Sequence, residues 1–177
     1  MSARPVKSSE ITDAATLRRA FSSFATGVTV VTTGGVTPHG MTANSFASVS
    51  LDPPLVLICV DRAAVMHQRL SAAGCFAVSV LAAGQEILAR HFADQWRPLS
   101  QAQFDGLGWR PGPHTGAPLL DGAIAHFECR VWREYAGGDH TIFVGSPVAM
   151  DWRAGEDGLL FFRGRFGQAL TDRVGGT

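Results

Sequence analysis

Asp139 and His140 stand side by side between the pair Gly137–Gly138 and the alternating apolar residues Ile142 and Val144. A turn needs the glycines and a strand needs the apolar residues, but neither needs an acid beside an imidazole. Two uses are open. Either Asp139 fixes the His140 ring for hydrogen bonding or stacking on a ligand, or Asp139 stabilises the turn while His140 caps the strand into solvent.

A second stretch, TANSFASVS from Thr42 to Ser50, packs hydroxyls and a carboxamide among very small side chains, which is unusual for a strand. Small residues let a flat ligand approach the backbone. Main-chain N–H groups, with Thr42, Asn44, Ser45, Ser48 and Ser50, then have the chemistry to bind carbonyls, ring nitrogens or a phosphate. An edge strand with a solvated Ser/Thr face produces the same pattern. Arg90 and Phe92 close the run ILARHFAD. A guanidinium suits a phosphate fork and a phenyl ring can lie along a ring system, yet a surface arginine beside a core phenylalanine reads identically. FFRGRFG sets Arg163 and Arg165 with Phe162 and Phe166 about a glycine, which ordinary strand alternation also explains.

Several chemistries have no support. The chain has no G-x-S-x-G elbow, no P-loop, and no G-x-G-x-x-G between a strand and a helix. Its six histidines form no H-x-x-H or H-E-x-x-H and its three cysteines no C-x-x-C, so no metal is expected. Cys59, Cys75 and Cys129 lie in apolar sequence and are expected as buried, reduced thiols. Fifteen basic and fifteen acidic residues cancel, which leaves no footprint for nucleic acid. The start, MSARPVKSSEITD, lacks the apolar core of a signal peptide, and no later run approaches the ~20 apolar residues of a membrane span. A cytoplasmic protein is expected.

The elements that position these residues follow from periodicity. At 177 residues the chain fits one domain, large enough to bury roughly two-thirds of its unfolded surface. Residues 1–12 are expected to be a flexible segment and residues 13–172 the domain. After Thr12 and Asp13, AATLRRAFSSFA puts Leu17, Phe21 and Phe24 on one helical face. GVTVVTT reads as a strand, GGVTPHG as a turn, and MTANSFASVS as the returning strand. LVLICV predicts a buried strand, AAVMHQRLSAAG a helix, CFAVSVLA a strand, and GQEILARHFAD a helix with Ile87, Leu88 and His91 at helical spacing. Residues 94–117 hold three of the nine prolines and predict a long surface excursion that could cover a site.

From Gly122 the alternation is strict. Ala123, Ala125, Phe127, Cys129 and Val131 face one way, and Ile124, His126, Glu128 and Arg130 the other, as in a half-buried antiparallel strand. HTIFVGSPVAMDW adds a strand and GLLFFRGRFGQAL a last one. At least six strands joined mainly by turns predict an antiparallel barrel with helices packed outside. Hydrophobic residues are 46% of the chain and charged residues 17%, so part of the apolar surface is expected in a subunit interface.

Taken in order, LRRAFSSFATGVTVVTT, GMTANSFASVSLDPPLVLICVDR, LARHFAD, FDGLGW, GGDHTIFVG and LLFFRGRFG resemble the short-chain flavin reductases. These are the reductase components of two-component flavin-dependent monooxygenases, such as those acting with phenol, hydroxyphenylacetate and polyketide hydroxylases. The resemblance runs from about Leu17 to Leu170, with T-A-N-S and G-D-H its specific parts. It implies a mainly β fold, an antiparallel FMN-binding split β-barrel with peripheral helices, usually a homodimer. In it NADH or NADPH reduces FMN or FAD, and the reduced flavin passes to a monooxygenase. By the same resemblance Thr42, Ala43, Asn44 and Ser45 meet the isoalloxazine and ribityl chain, and Ser48, Val49 and Ser50 the chain and phosphate. Arg90 and Phe92 lie near the phosphate end, Phe166 borders the site, and Asp139 and His140 bind the nicotinamide.

One departure stands out: after VDR many relatives carry a serine or threonine that helps hold the phosphate, whereas this chain has Ala63, Ala64, Val65 and Met66. Hydride transfer from nicotinamide C4 to flavin N5 needs two stacked rings and no protein nucleophile, so the resemblance assigns no certain catalytic residue. A non-catalytic FMN-binding electron carrier or flavin-sequestering protein on the same barrel is the alternative. A pyridoxamine-phosphate-oxidase-like activity is a third option.

Overall fold

The computed structural model describes residues 13–168; the expected flexible segment, residues 1–12, and residues 169–172 of the expected domain lie outside the described residues. The fold starts at Asp13, whose carboxylate accepts from the Thr16 N–H at 2.7 Å and the Thr16 hydroxyl at 2.8 Å, capping helix α1 (Ala14–Phe21). The helix stops at Phe21, three residues short of Phe24. On the face expected to hold Leu17, Phe21 and Phe24, Leu17 is half-buried while Phe21 and Phe24 are 68% and 76% exposed.

The remaining elements are β1 (Thr26–Gly27), β2 (Thr29–Thr33), β3 (His39–Ala43), β4 (Ala47–Leu51), β5 (Pro54–Asp61) and α2 (Val65–Ala73). They continue with β6 (Cys75–Val80), α3 (Glu86–Ala93), β7 (Trp109–Pro111), β8 (Pro118–Leu120), β9 (Ala125–Gly137), β10 (His140–Trp152), β11 (Leu159–Phe162) and β12 (Arg165–Gln168). The main sheet is antiparallel throughout, in the order β3-β2-β6-β9-β10-β5-β4. Two small sheets, β1-β11-β12 and β7-β8, complete it.

The stretch expected as one strand, residues 41–50, is two. It breaks at residues 44–46, and β3 and β4 on either side form opposite edges of the seven-stranded sheet. A flat sheet of that size would hold its edge strands about 29 Å apart, whereas four Cα–Cα steps reach at most about 15 Å. The sheet must therefore curl until its edges approach. Ser45 serves that approach, because its hydroxyl accepts from the Cys59 N–H at 3.0 Å and donates to the Cys59 carbonyl at 3.1 Å on β5.

Inside the curl, Val31, Ile58, Phe76, Val78 and Phe143 pack with Met66 and Leu70 from α2. A second cluster gathers Val30, Leu81, Phe92, Phe104, Leu120 and Leu159. On α3 the buried residues are Ala89 and Phe92, while Ile87 is exposed, so the inward face is rotated from the Ile87, Leu88, His91 set. The glycine at Gly40 lets the Phe92 ring approach β3, since a Cβ there would stand 2.5 Å from it.

Strand β9 departs from the half-buried expectation, because His126 and Glu128 on its supposed solvent side are both buried. The cause is the segment before it. Glu128 Oε2 accepts from the N–H groups of His114 and Thr115, at 2.9 and 2.8 Å, and from the Thr115 hydroxyl at 2.8 Å. His126 is held between the Leu120 carbonyl at 2.8 Å and Asp151 at 2.7 Å. The stretch expected to run over the surface also buries Gln103 and Phe104. GLLFFRGRFGQAL, expected as one strand, is the β11–β12 hairpin, turning at Arg163–Gly164.

Of the three cysteines only Cys129 is fully buried, and Cys59 and Cys75 are half-buried. Burial, with the Glu128 charge adding, pushes the Cys129 thiol up to about 12, and burial also raises Cys59. No helix among the described residues is long and apolar enough to cross a membrane.

Candidate active site

The β9–β10 hairpin closes through two residues, Gly138 and Asp139, with Gly137 paired to His140. Gly138 has φ +73°, the left-handed conformation that glycine adopts without steric cost. The turn is anchored sideways: the Asp139 carbonyl accepts from the Arg62 N–H at 3.0 Å, and His140 pairs with Asp61 of β5. Asp139 Oδ1 lies 2.7 Å from His140 Nδ1. The hydrogen bond from His140 holds the Asp139 carboxyl below the usual aspartate range, and the charges of His140 and then Arg18 act in the same direction. With Nδ1 occupied, Nε2 of a ring 42% exposed is the nitrogen left to face a ligand.

The small-residue stretch divides by use. The Thr42 hydroxyl donates to the Ala89 carbonyl of α3 at 2.7 Å, and the Ser45 hydroxyl is spent on Cys59. Ala43 is buried, Asn44 is exposed at the break, and Ser48 and Val49 are exposed on edge strand β4, with Ser50 half-buried. The β4–β5 register skips Val49, which makes it a bulge residue. From this stretch, the Asn44 carboxamide and the Ser48 hydroxyl are the side-chain groups left exposed.

Arg90 and Phe166 are brought together, with the guanidinium carbon 4.9 Å from the ring centroid, while Arg90 also pairs with Glu86 at 2.7 Å. Phe92 is not with them. It is fully buried against Phe104, and its ring contributes only to the wall of a 560 Å³ hollow that Thr42 and Arg97 also border. That hollow opens at the start of α2, where Ala64 supplies no side-chain cap, so the first N–H groups of the helix are the donors this loop offers.

A larger cleft, of about 960 Å³, lies between α1 and the β11–β12 hairpin. Arg18, Arg19 and Arg163 border it with Phe21, Phe161 and Asn44, and among the described residues no carboxylate lines it. Its two walls are stitched by the Arg163 N–H, which donates to the Ser22 carbonyl at 2.8 Å. Guanidinium groups, aromatic faces and a carboxamide fit an anionic ligand that carries flat rings, as a flavin or a nicotinamide nucleotide does. Sequence reasoning did not single out Arg18; its only signal was the doubled arginine of LRRAF. Among the described residues, no group of three or more His, Cys, Asp or Glu is placed to hold a metal.

The description "flavin reductase like domain" matches residues 21–170. The chain belongs to the flavin reductase-like family. Within that family it is 60% identical over 161 residues to an NADH-dependent FAD reductase of Streptomyces globisporus, covering 90% of this chain and 88% of the relative. The solved structure of Streptomyces globisporus C-1027 NADH:FAD oxidoreductase SgcE6, in complex with NAD and FAD fragments, superposes with a TM-score of 0.89 at 55% identity, covering 95% and 99% of the two chains. BorF, the flavin reductase component of a bacterial two-component tryptophan halogenase, superposes with a TM-score of 0.85 at 54% identity, over 88% and 98%.

Proposed function

We propose that this chain is an NADH-dependent flavin reductase that reduces FAD or FMN and supplies reduced flavin to a separate flavin-dependent monooxygenase. The observation that carries this reading is the 60% identity, along nearly the whole length of both chains, with an NADH-dependent FAD reductase. The cleft of Arg18, Arg19 and Arg163 with Phe21 and Phe161 supports it from the structure. When both nucleotides are bound, they supply the chemistry, a hydride passing from the nicotinamide to the flavin.

The protein binds and orients. In this reading His140 offers Nε2 to the nicotinamide half, with Asp139 setting the ring. Asn44 and the backbone from Thr42 to Ser45 border the flavin rings. Ser48, Val49 and Ser50 line the edge strand along the ribityl chain and phosphate, and Arg90 with Phe166 flanks the flavin. Phe92 supports this region from beneath, through packing.

The working form is a symmetric homodimer in the cytoplasm. Phe24, Trp132, Tyr135, Met150 and Trp152 are exposed, an apolar complement that a second copy would cover. Light scattering at micromolar concentration should return twice the 18.8 kDa chain mass; a single-chain mass refutes the dimer.

The test of function is steady-state oxidation of NADH and NADPH with FAD, FMN and riboflavin as acceptors. Many turnovers of added free flavin are expected. Tight retention of one flavin with negligible NADH oxidation would establish the electron carrier or flavin-sequestering protein instead.

A further inference from the structure

Arg163 is the one non-glycine residue with positive φ, at +49°, among the described residues. It and Gly164, at φ +76°, form the two-residue turn of the β11–β12 hairpin, a type that favours Asn, Asp or Gly at its first position. A long side chain there works against the backbone preference. The guanidinium lies over the Phe162 ring, 4.9 Å from its centroid, and has no carboxylate partner among the described residues. Arg163 also borders two hollows at once. One is the 960 Å³ cleft with Arg18 and Arg19; the other, of 670 Å³, holds Arg165 and Phe166. Among the described residues neither is lined by an Asp or Glu, in a chain whose fifteen acidic residues equal its fifteen basic ones.

We propose that Arg163, with Arg18 in the same cleft, seats the diphosphate bridge of an adenine dinucleotide. This rests on the flavin reductase reading above. Two guanidinium groups on one cleft, with no carboxylate among its described lining residues, suit the charge and fork chemistry of a diphosphate. Phe21 and Phe161 offer faces for the attached adenine. The hydrogen bond from the Arg163 N–H to Ser22 holds the hairpin turn against the end of α1, so the wall carrying Arg163 is positioned before a ligand arrives. FAD and NADH both contain this bridge, and riboflavin contains none.

The test is calorimetric titration of wild type, Arg163→Gly and Arg18→Gln with FAD, NAD+ and riboflavin. Glycine suits φ +49°, so Arg163→Gly should melt at or above the wild-type temperature, which separates ligand effects from misfolding. Either substitution is expected to weaken the dinucleotide seated here roughly 10-fold or more, with riboflavin affinity held within about twofold. Added salt should weaken that ligand more in wild type than in Arg163→Gly. Loss confined to FAD assigns the flavin's diphosphate; loss confined to NAD+ assigns the nicotinamide's. Unchanged affinity for both, or an equal loss for riboflavin, overturns the proposal. A wild type that binds FAD and NAD+ and turns over NADH with flavin, while Arg163→Gly behaves identically, sinks this inference alone. A wild type that binds neither dinucleotide removes both it and the flavin reductase reading.

Discussion

The Ser45 hydroxyl and the Cys59 main chain satisfy each other reciprocally: Oγ accepts from the Cys59 N–H at 3.0 Å and donates to its carbonyl at 3.1 Å. A side chain on the link between the two sheet edges thus takes the place of a ladder residue beside β5. Ser45→Ala leaves both main-chain groups unpaired in a half-buried position and should cost about 1–2 kcal/mol. For a chain of this size that is a fall in Tm of about 3–6 °C. Thermal unfolding of the ligand-free protein measures it, and an unchanged Tm would show that water replaces the hydroxyl without loss.

Asn44, the neighbouring residue, is exposed on the cleft and has no comparable structural task. Asn44→Leu should leave the ligand-free Tm within about 1 °C while weakening flavin binding by roughly 10-fold, through a lost donor and added bulk. Fluorescence titration with FAD and FMN reads the effect. Equal affinity in both proteins would remove Asn44 from the site.

His140→Ala should lower kcat/KM for NADH by roughly 5–30-fold, the cost of one hydrogen bond or stacking contact at ~1–2 kcal/mol. Flavin affinity should stay nearly unchanged. A collapse of kcat with loss of one limb of its pH profile would make the histidine a proton donor instead. The same substitution should raise the Asp139 carboxyl towards the ordinary range, because the hydrogen bond from His140 is the main cause of its lowering. A carboxyl NMR titration reads this directly. The pair's contribution to stability is present above the unfolded-state aspartate pKa and is lost as pH falls through the lowered folded value.

His39 is shielded at the end of β3, its Nε2 3.4 Å from the Arg97 guanidinium and its Nδ1 without a partner. Burial, then the charges of Arg97 and Arg69, pull its pKa down to about 4. The unfolded chain takes up this proton near 6.5 and the folded chain does not, so between those values stability falls as pH falls. From pH 7 to pH 5 the loss from this group should be about 2 kcal/mol. Denaturant unfolding at the two pH values should show a smaller difference in His39→Gln. An equal difference in both proteins would assign the acid sensitivity elsewhere.

What the sequence determined is what local geometry controls. The helices at α2 and α3 and the β5 and β6 strands each depend on residues within a few positions of one another and stand where periodicity put them, while the hairpin turn expected at Gly137–Gly138 lies one residue on, at Gly138–Asp139. The motifs that mark the flavin reductase-like family were legible for the same reason, being contiguous. Tertiary structure decided which of those groups are free. Thr42 and Ser45 look as available as Asn44 and Ser48 in a string of letters, yet partners on α3 and β5 consume their hydroxyls. Phe92 and Arg90 are two residues apart, and only packing sends one into the core and the other over Phe166. Alternation along β9 showed two faces but could not show that residues 112–120 cover the second. Pairing partners and covering segments are set by contacts between distant parts of the chain, and a period of two residues carries no information about what packs against either side.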